Sequence, residues 1–198
     1  MDITTASLSE LDESVGCLVR AFAQDPITGF LLQPDLGYRE RLAQFFSLLM
    51  RARLALGMPV IVARDSSGIR GAAMGYATAH SPWPNDLAEA WTRFEGAIPG
   101  LTERMAIYDE ISARGKPPAP HYYLGVIGVD PELHGLGVGT QLLRSFCGLS
   151  GSDPLSSGVY LETAEESNVG FYERAGFSET ARGSLGGATL WCMYLPQG

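Results

Sequence analysis

The chain has 198 residues, of which 45% are hydrophobic and 18% are charged, a normal balance for one globular domain with a sizeable core. A formal net charge of -8 argues against nucleic acid and anionic membrane as partners, and it favours encounter with a cationic small molecule or amine. Three scattered cysteines are too few for a disulfide framework or a metal site, so no metal is expected. The N-terminus lacks the features of a signal peptide and no apolar run has the length of a membrane span, which predicts a cytoplasmic protein.

The first part of the chain predicts a short strand and two helices. Residues 2–6 are expected to form an edge strand, after which Ser7 and Glu10 have the spacing of a capping box. Apolar residues then recur on one face of a predicted helix. Asp25-Pro26 is expected to end this helix, because proline disfavours the helical conformation of the residue before it. Residues 25–30 show no periodicity and are expected to be a loop, whereas residues 36–56 carry the apolar stripe of a second helix.

The middle of the chain predicts a hairpin followed by a helical insertion. Residues 60–64 and 69–79 flank a polar turn and are expected to pair as antiparallel strands, the second of them rich in glycine. Residues 81–120 begin and end in proline-rich sequence and contain two short amphipathic helices, which Pro99-Gly100 separates. We interpret this segment as a helical insertion and loop between strands of one domain that covers residues 1–198.

The most informative stretch is a strand that runs into a glycine-rich loop. Residues 121–129 are apolar and aromatic and predict a largely buried strand, which Asp130-Pro131 ends because proline cannot continue a central ladder. From Gly135 to Gly139 every second residue is glycine, and helical spacing resumes at Gln141. Such a turn leaves unpaired N–H groups at the start of a helix, where the helix dipole adds partial positive charge. The sequence therefore predicts a phosphate site.

Two other phosphate-binding motifs fit this loop less well. A P-loop requires a lysine and a hydroxyl after its last glycine, but Gly139 is followed by Thr140 and Gln141, which excludes that motif. A dinucleotide fingerprint requires a third glycine where Thr140 stands, and it normally opens its domain, whereas this loop follows two-thirds of the chain. The spacing therefore argues against both.

The last part of the chain predicts a strand, a helix and a closing hairpin. Residues 159–163 are expected to form a strand, and residues 167–175 a helix. Gly176 follows this helix, where a left-handed C-terminal cap is expected. Residues 178–185 and 188–195 are expected to pair around a two-glycine turn.

Two blocks of this sequence resemble the GNAT superfamily of N-acetyltransferases. The first is His134-x-x-Gly137-x-Gly139 after Val129-Asp130-Pro131, which is similar to the acetyl-CoA loop of that family. The second runs from Leu161-Glu162-Thr163 through Asn168 to Phe177 and is similar to the last strand and helix of the family fold. In length and layout the chain also resembles the group that contains puromycin N-acetyltransferase and its bacterial relatives. The resemblance implies an α/β fold with a mixed, mostly antiparallel sheet of about seven strands, splayed between the fourth and fifth, and helices on both faces.

The resemblance also implies a site for acetyl-CoA. The diphosphate would bind the N–H groups from Gly135 to Thr140, and the pantetheine arm would bind the backbone of the fourth strand, with the Ile127 amide as oxyanion donor. Asn168 matches a CoA-contacting asparagine, although a helix cap explains it equally well. His134 replaces the usual Gln or Arg and Leu136 replaces a frequent basic residue, so backbone amides must hold the phosphates. The implied cofactor-binding residues are Ile127, Val129, His134, Gly135, Gly137, Val138, Gly139, Thr140 and Asn168.

Catalytic roles are implied for Tyr172 and Glu162. Tyr172 matches the family's general acid, whose phenol can protonate the departing thiolate, and its alternative role is that of a buried aromatic residue. Glu162 is the nearest acid for deprotonating the amine through water, although it could equally be a structural carboxylate. The usual base positions fall on Tyr123 and Gly125. His121 is therefore another candidate base, and Asp25 is a candidate for attracting the charge of the amine.

The function that follows is transfer of an acetyl group from acetyl-CoA to a primary amine of a small molecule by direct attack. Two alternatives stay open: a non-catalytic acyl-CoA sensor, and an acetyltransferase that acts on a protein lysine or N-terminus. A homodimer is compatible with the sequence, which does not determine the oligomeric state. Six aromatic residues are candidates for lining an acceptor pocket, namely Tyr38, Trp83, Trp91, Tyr108, Tyr122 and Tyr123.

Overall fold

Seven strands, seven α-helices and two short 3-10 helices make up the computed structural model, which describes residues 1–197. The strands are β1 (Asp2–Thr5), β2 (Val60–Asp65), β3 (Gly68–Tyr76), β4 (Tyr122–Val129), β5 (Gly158–Thr163), β6 (Ser178–Leu185) and β7 (Ala188–Pro196). The helices are α1 (Leu11–Ala21), α2 (Pro26–Leu32), α3 (Tyr38–Ala55), α4 (Asn85–Gly96), α5 (Leu101–Gly115), α6 (Val138–Gly151) and α7 (Glu166–Arg174). Within residues 1–197, none of these helices combines the length and the apolar character needed to cross a bilayer.

All seven strands belong to one sheet, in the order β1-β2-β3-β4-β5-β7-β6. Every neighbouring pair is antiparallel except β4 and β5, which are parallel. Side chains that alternate along β2 and β3 enter two different apolar clusters, one packed against α1 and α3 and the other against α6. The prediction of a mixed, mostly antiparallel sheet with helices on both faces is confirmed.

The parallel pair β4–β5 separates soon after it forms. The two strands pair only at Tyr122 with Val159 and at Tyr123 with Tyr160. Beyond that point β4 continues along β3, and β5 continues along β7. The predicted splay between the fourth and fifth strands is therefore present, and it opens a gap along the second half of β4.

A β-bulge in β4 lies at the point of separation. Along β3, Met74 pairs with Val126 but the next residue, Gly75, pairs with Leu124, which leaves Gly125 as the extra residue of β4. A bulge interrupts the period-two alternation of side chains, so Tyr123 and Val126 lie on the same face of the sheet.

The expectation that residues 25–30 form a loop is wrong. Pro26–Leu32 is a helix, and Asp25 is its N-cap, accepting hydrogen bonds from the Thr28 amide at 2.8 Å and the Thr28 hydroxyl at 3.0 Å. Proline at the first helical position lacks an N–H that would be unpaired there anyway, so Asp-Pro is as good a start signal as a stop signal. In this chain the dipeptide starts α2, whereas α1 has already ended at Ala21, four residues before Asp25.

Other predicted boundaries agree with the structure. Gly100 adopts φ +71° between α4 and α5, where the break was expected. Gly176 adopts φ +94° after α7, and the Phe177 amide donates to the Tyr172 carbonyl at 3.1 Å, as a left-handed helix cap requires.

Candidate functional site

The gap between β4 and β5 opens into a cleft of about 900 Å³, called here the strand cleft. Its walls are the second half of β4, the glycine-rich loop with the start of α6, the start of α7, and the chain that joins α1 to α2. Ten of the eleven residues that the sequence assigned to the site line this cleft. They are Ile127, Val129, His134, Gly135, Gly137, Val138, Gly139, Thr140, Asn168 and Tyr172.

The glycine-rich loop presents a row of free amides to the strand cleft. The last backbone hydrogen bond before the helix runs from the Leu136 amide to the Leu133 carbonyl at 3.2 Å. The first backbone hydrogen bond of the helix runs from the Gln141 amide to the Gly137 carbonyl at 3.1 Å. Among residues 1–197 no backbone carbonyl accepts from the amides of residues 137–140. Unpaired amides at a helix N-terminus suit an anion, so this part of the cleft fits the diphosphate of CoA.

Two glycines give the loop its shape through their backbone conformation. Gly135 and Gly137 both adopt φ +80°, which other residues rarely adopt. A Cβ atom at either position would meet no atom within 4 Å, so neither glycine is needed for close packing. The alternating glycines therefore serve the turn itself, which orients the amides.

The exposed edge of β4 supplies further backbone groups. The Asp130 amide donates to the Arg70 carbonyl on the β3 side at 2.8 Å. Since amides alternate in direction along a strand, those of Ile127 and Val129 point to the opposite edge, where β5 has already separated. His134 Nε2 lies 3.2 Å from the Val129 carbonyl oxygen, which confirms that this carbonyl also points away from β3. The edge can thus pair with the amides of a pantetheine arm.

Arg20 is a basic side chain in the strand cleft that the sequence analysis did not identify. It lies in the last turn of α1 and forms a salt bridge with Asp130 at 2.9 Å. Burial alone would raise the pKa of Asp130, but the hydrogen bond from Arg20, the one from the Glu132 amide and the charges of Arg20 and Arg70 lower it. The pair connects α1 to the residue that ends β4, and it places one guanidinium near the loop.

A second, smaller cavity of about 500 Å³ lies beside the strand cleft, and we call it the aromatic cavity. Phe22 and Asp25 line both spaces, so they mark the junction where cleft and cavity meet. Four of the six aromatic candidates line this cavity, namely Trp83, Trp91, Tyr108 and Tyr123. Tyr38 and Tyr122 line neither space.

Glu162 lines the aromatic cavity rather than the strand cleft. Its carboxylate accepts hydrogen bonds from the Tyr108 hydroxyl at 3.0 Å and from the Ser112 hydroxyl, and the Tyr108 and Tyr123 hydroxyls lie 3.1 Å apart. Burial raises the pKa of Glu162, although the hydrogen bonds from Ser112, Tyr108 and Tyr123 oppose the shift. Burial and the Glu162 charge together raise the pKa of both tyrosines. The result is a carboxyl group connected to two phenols in the cavity wall.

Asp25 and His121, the other two acid or base candidates, have different surroundings. Burial raises the pKa of Asp25 at the junction, against the hydrogen bonds that it accepts from Thr28. His121 lines neither space, and its Nδ1 lies 2.8 Å from the Ala119 carbonyl oxygen. The structure therefore brings Asp25, but not His121, to the site.

Tyr172 is packed in the core and also borders the strand cleft, so its position is compatible with a general acid and with a buried aromatic residue. Its side chain is 4% exposed, packs against Phe171 and Phe177 with ring centroids 5.1 and 5.7 Å away, and still lines the strand cleft. Burial, followed by the Asp25 charge, raises the pKa of its phenol, so the hydroxyl keeps its proton at neutral pH. Asn168 also lines the cleft, and the N-cap of α7 is Glu165, so capping does not account for Asn168.

Comparison with known proteins agrees with this geometry. Residues 102–179 match the family description "Acetyltransferase (GNAT) domain". Over 103 residues the chain is 33% identical to the N-alpha-acetyltransferase RimI of Mycobacterium tuberculosis, a match that covers 48% of this chain. The matched part spans 61% of the length of RimI.

Solved structures share the fold over almost the whole chain. A crystal structure described as histone acetyltransferase HPA2 and related acetyltransferase, from Corynebacterium glutamicum, is similar with a TM-score of 0.74 and 25% identity, covering 99% of this chain and 96% of that one. A mosquito arylalkylamine N-acetyltransferase like 5b is similar in fold, with a TM-score of 0.60, 16% identity and coverage of 98% and 99%. The matched residues 102–179 run from α5 into β6 and include β4, the glycine-rich loop, β5 and α7. With its split parallel strands and this matched segment, the chain has the GNAT fold, and its residues 102–179 are similar to the GNAT acetyltransferase domain.

Proposed function

We propose that this protein is an acetyl-CoA-dependent N-acetyltransferase whose acceptor is the amine of a small molecule. The observation that carries the proposal is the junction at Phe22 and Asp25, where a cleft with free backbone amides meets the aromatic cavity. A donor that lies in the strand cleft and an acceptor that lies in the aromatic cavity would meet there. Acyl transfer requires such a meeting point, because the two reacting atoms must approach in a fixed orientation.

Backbone groups hold the donor in this proposal. Acetyl-CoA, when bound, supplies an acetyl thioester that an amine can take over with release of the free thiol. The amides of residues 137–140 bind its diphosphate, and the free edge of Ile127 and Val129 binds its pantetheine arm. The Ile127 amide faces the same gap and is available to stabilise negative charge that develops on the acyl oxygen.

Glu162 and Asp25 act on the amine in this proposal. An amine arrives mostly protonated at neutral pH and must lose a proton before its nitrogen can attack. Asp25 attracts the charged amine at the junction, and Glu162 accepts the proton through the Tyr108 hydroxyl or a water molecule. A carboxyl whose pKa is raised by burial is a stronger base than an ordinary glutamate, which suits this role.

The shape of the aromatic cavity supports a small-molecule acceptor. A volume of about 500 Å³ lies within the usual range of small-ligand sites, and the wall is predominantly aromatic and aliphatic. The sequence resemblance to the puromycin N-acetyltransferase group favours a drug-like or metabolite amine. The similarity to RimI, whose name denotes N-alpha acetylation, favours a protein N-terminus as a second candidate acceptor.

A thiol-release assay tests the function directly. Purified protein and acetyl-CoA would be incubated with a panel of aromatic amines and, separately, with peptides that have free N-termini, and free thiol would be measured. We expect release with small amines above the rate without acceptor. Release with peptides alone would favour the second candidate acceptor. Binding of CoA without any acceptor-dependent release would instead identify a non-catalytic acyl-CoA sensor.

The pH dependence tests the role of Glu162. Because a base acts only when deprotonated, the wild-type rate should rise with pH through a limb above the ordinary glutamate pKa of about 4.3, as burial raises the pKa of Glu162. Glu162→Gln should lower kcat/KM roughly 10²- to 10⁴-fold near neutral pH. The loss should shrink as the pH approaches the pKa of the amine, where the free amine is already abundant.

A matched control for this prediction is Glu110→Gln on the exposed side of α5, away from both spaces. Its profile should coincide with that of the wild type. If Glu162→Gln kept the wild-type profile over the whole pH range, Glu162 would have a structural role only.

A further inference from the structure

We propose that the acceptor amine also carries a carboxylate, which pairs with Arg53 in the wall of the aromatic cavity. This inference rests on the proposed function only for the identity of the acceptor, since the anion site itself can be tested by binding. Arg53 belongs to α3 and lines the cavity, yet its side chain lacks the partner that a buried guanidinium usually has.

The surroundings of Arg53 define the missing partner. Arg53 is 3% exposed, and among residues 1–197 its side chain makes one hydrogen bond, from Nη1 to the Leu49 carbonyl at 3.0 Å. Its Nε has no acceptor among those residues. None of the salt bridges in the described part of the chain includes Arg53, although arginines that are more exposed, such as Arg20 and Arg64, have carboxylate partners. Arg53 is thus the most buried of these three arginines and the one that has no carboxylate partner.

A buried cation without a carboxylate is costly, so the site requires an explanation. The Tyr76 ring gives partial compensation, since the guanidinium carbon lies 4.5 Å from the ring centroid. Burial lowers the pKa of Arg53, and the nearest groups that oppose the shift are the phenols of Tyr76, Tyr123 and Tyr108 rather than carboxylates. Arginine nevertheless stays protonated in proteins, so the cost of an unpaired buried charge remains.

Gly125, at the bulge, lets the guanidinium lie close to β4. A Cβ atom at Gly125 would lie 3.2 Å from Arg53 Nη2 and 2.9 Å from the Tyr123 ring, so a side chain there would crowd both groups. Gly125 itself lines the aromatic cavity. Since Arg53 and Gly125 both line the cavity, Nη2 is the end of the guanidinium beside this lining residue, and the Leu49 carbonyl accepts only from Nη1. A carboxylate there would receive a charge-assisted hydrogen bond.

The other charges of the cavity give the acceptor an orientation. Asp25, Asp109 and Glu162 are acidic, and Arg53 is the single basic side chain that lines the cavity within residues 1–197. An amine group is attracted to Asp25 at the junction with the strand cleft, whereas a carboxylate is repelled by the acids and attracted to Arg53. The wall between consists largely of aromatic rings, among them Phe45 and Trp91, which suits an apolar or aromatic body. The acceptor class is thus an amino acid-like molecule with an aromatic core.

Two probes of matched size test this inference, 4-(aminomethyl)benzoate and 4-methylbenzylamine. With the wild type, kcat/KM in the thiol-release assay should be at least tenfold higher for the carboxylated amine. Arg53→Met, which keeps much of the apolar stem, should lower the ratio of the two values about 10- to 100-fold, the usual effect of losing a hydrogen bond to a charged group. Arg53→Lys should restore part of the ratio, because it returns the charge without the planar fork.

Binding without turnover separates this inference from the proposed function. Titration calorimetry with CoA-loaded protein and 4-methylbenzoate, which has no amine, should show binding to the wild type and at least tenfold weaker binding to Arg53→Met. Arg93→Gln, which removes an exposed arginine on α4, should behave as the wild type. Carboxylate binding without acetyl transfer would retain the anion site and reject the enzymatic assignment. Preference of the wild type for the neutral amine, or equal carboxylate binding by folded Arg53→Met, would overturn the inference.

Discussion

Replacing Gly137 by valine is expected to weaken CoA binding about 10- to 100-fold while the protein stays folded. Gly137 has φ +80°, and a β-branched residue in that region costs of order 1–3 kcal/mol. The free loop would relax to a more favourable φ and turn the amides of residues 137–140 away from their common point. Binding would then have to restore the strained conformation, and each 1.4 kcal/mol of that cost is about tenfold in affinity. Titration calorimetry with CoA measures the change.

The same helix offers a matched control for the loop prediction. Gly148 lies inside α6, and a Cβ atom there would meet nothing within 4 Å. Gly148→Ala should leave the affinity for CoA unchanged and raise stability by roughly 0.5–1 kcal/mol, because alanine is the better helix former. Wild-type affinity in a folded Gly137→Val variant would show that the diphosphate binds elsewhere, and the proposed enzymatic function would lose its support.

The glycine-rich loop was predictable because its signal is local. The spacing of Gly135, Gly137 and Gly139 shows both the turn and the start of α6, and no distant residue is needed to interpret it. The strands and the two hairpins could be predicted for the same reason, since period two and turn residues act over a few positions. The backbone-binding half of the site is therefore the half that the sequence describes best.

The aromatic cavity, the proposed acceptor half of the site, depends on tertiary contacts and was predicted less well. Asp25-Pro26 begins α2, and only the packed structure shows that Asp25 lies at the junction of cleft and cavity. Arg53 follows Phe45 and Leu49 at helical spacing, so a charge on the apolar face of α3 was visible in the sequence. The sequence does not show that the guanidinium is buried without a carboxylate partner, because an arginine at such a position can also extend its charged end to solvent.

The bulge at Gly125 connects the two halves of the site. Before it, Tyr123 faces the aromatic cavity and pairs with β5. After it, Val126 faces the cavity, while Ile127 faces the strand cleft with an amide that β5 no longer covers. One extra residue thus lets a single strand line the aromatic cavity on one face and the strand cleft along its edge. The sequence shows a glycine there but not the change of register, which depends on the pairing with β3.

Tyr172→Phe is expected to lower kcat roughly 10²- to 10⁴-fold while the affinity for CoA stays near that of the wild type. The substitution removes only the hydroxyl, so the ring keeps its packing against Phe171 and Phe177. Burial and the Asp25 charge raise the pKa of the phenol, which keeps its proton available for the departing thiolate across the neutral range. Thiol release measures turnover, and titration calorimetry measures CoA binding.

Tyr122→Phe is the matched control, because it removes a hydroxyl from a tyrosine that lines neither space, and it should keep the wild-type rate. If Tyr172→Phe also kept that rate, the proton would come from water, and Tyr172 would contribute to the cleft by packing alone.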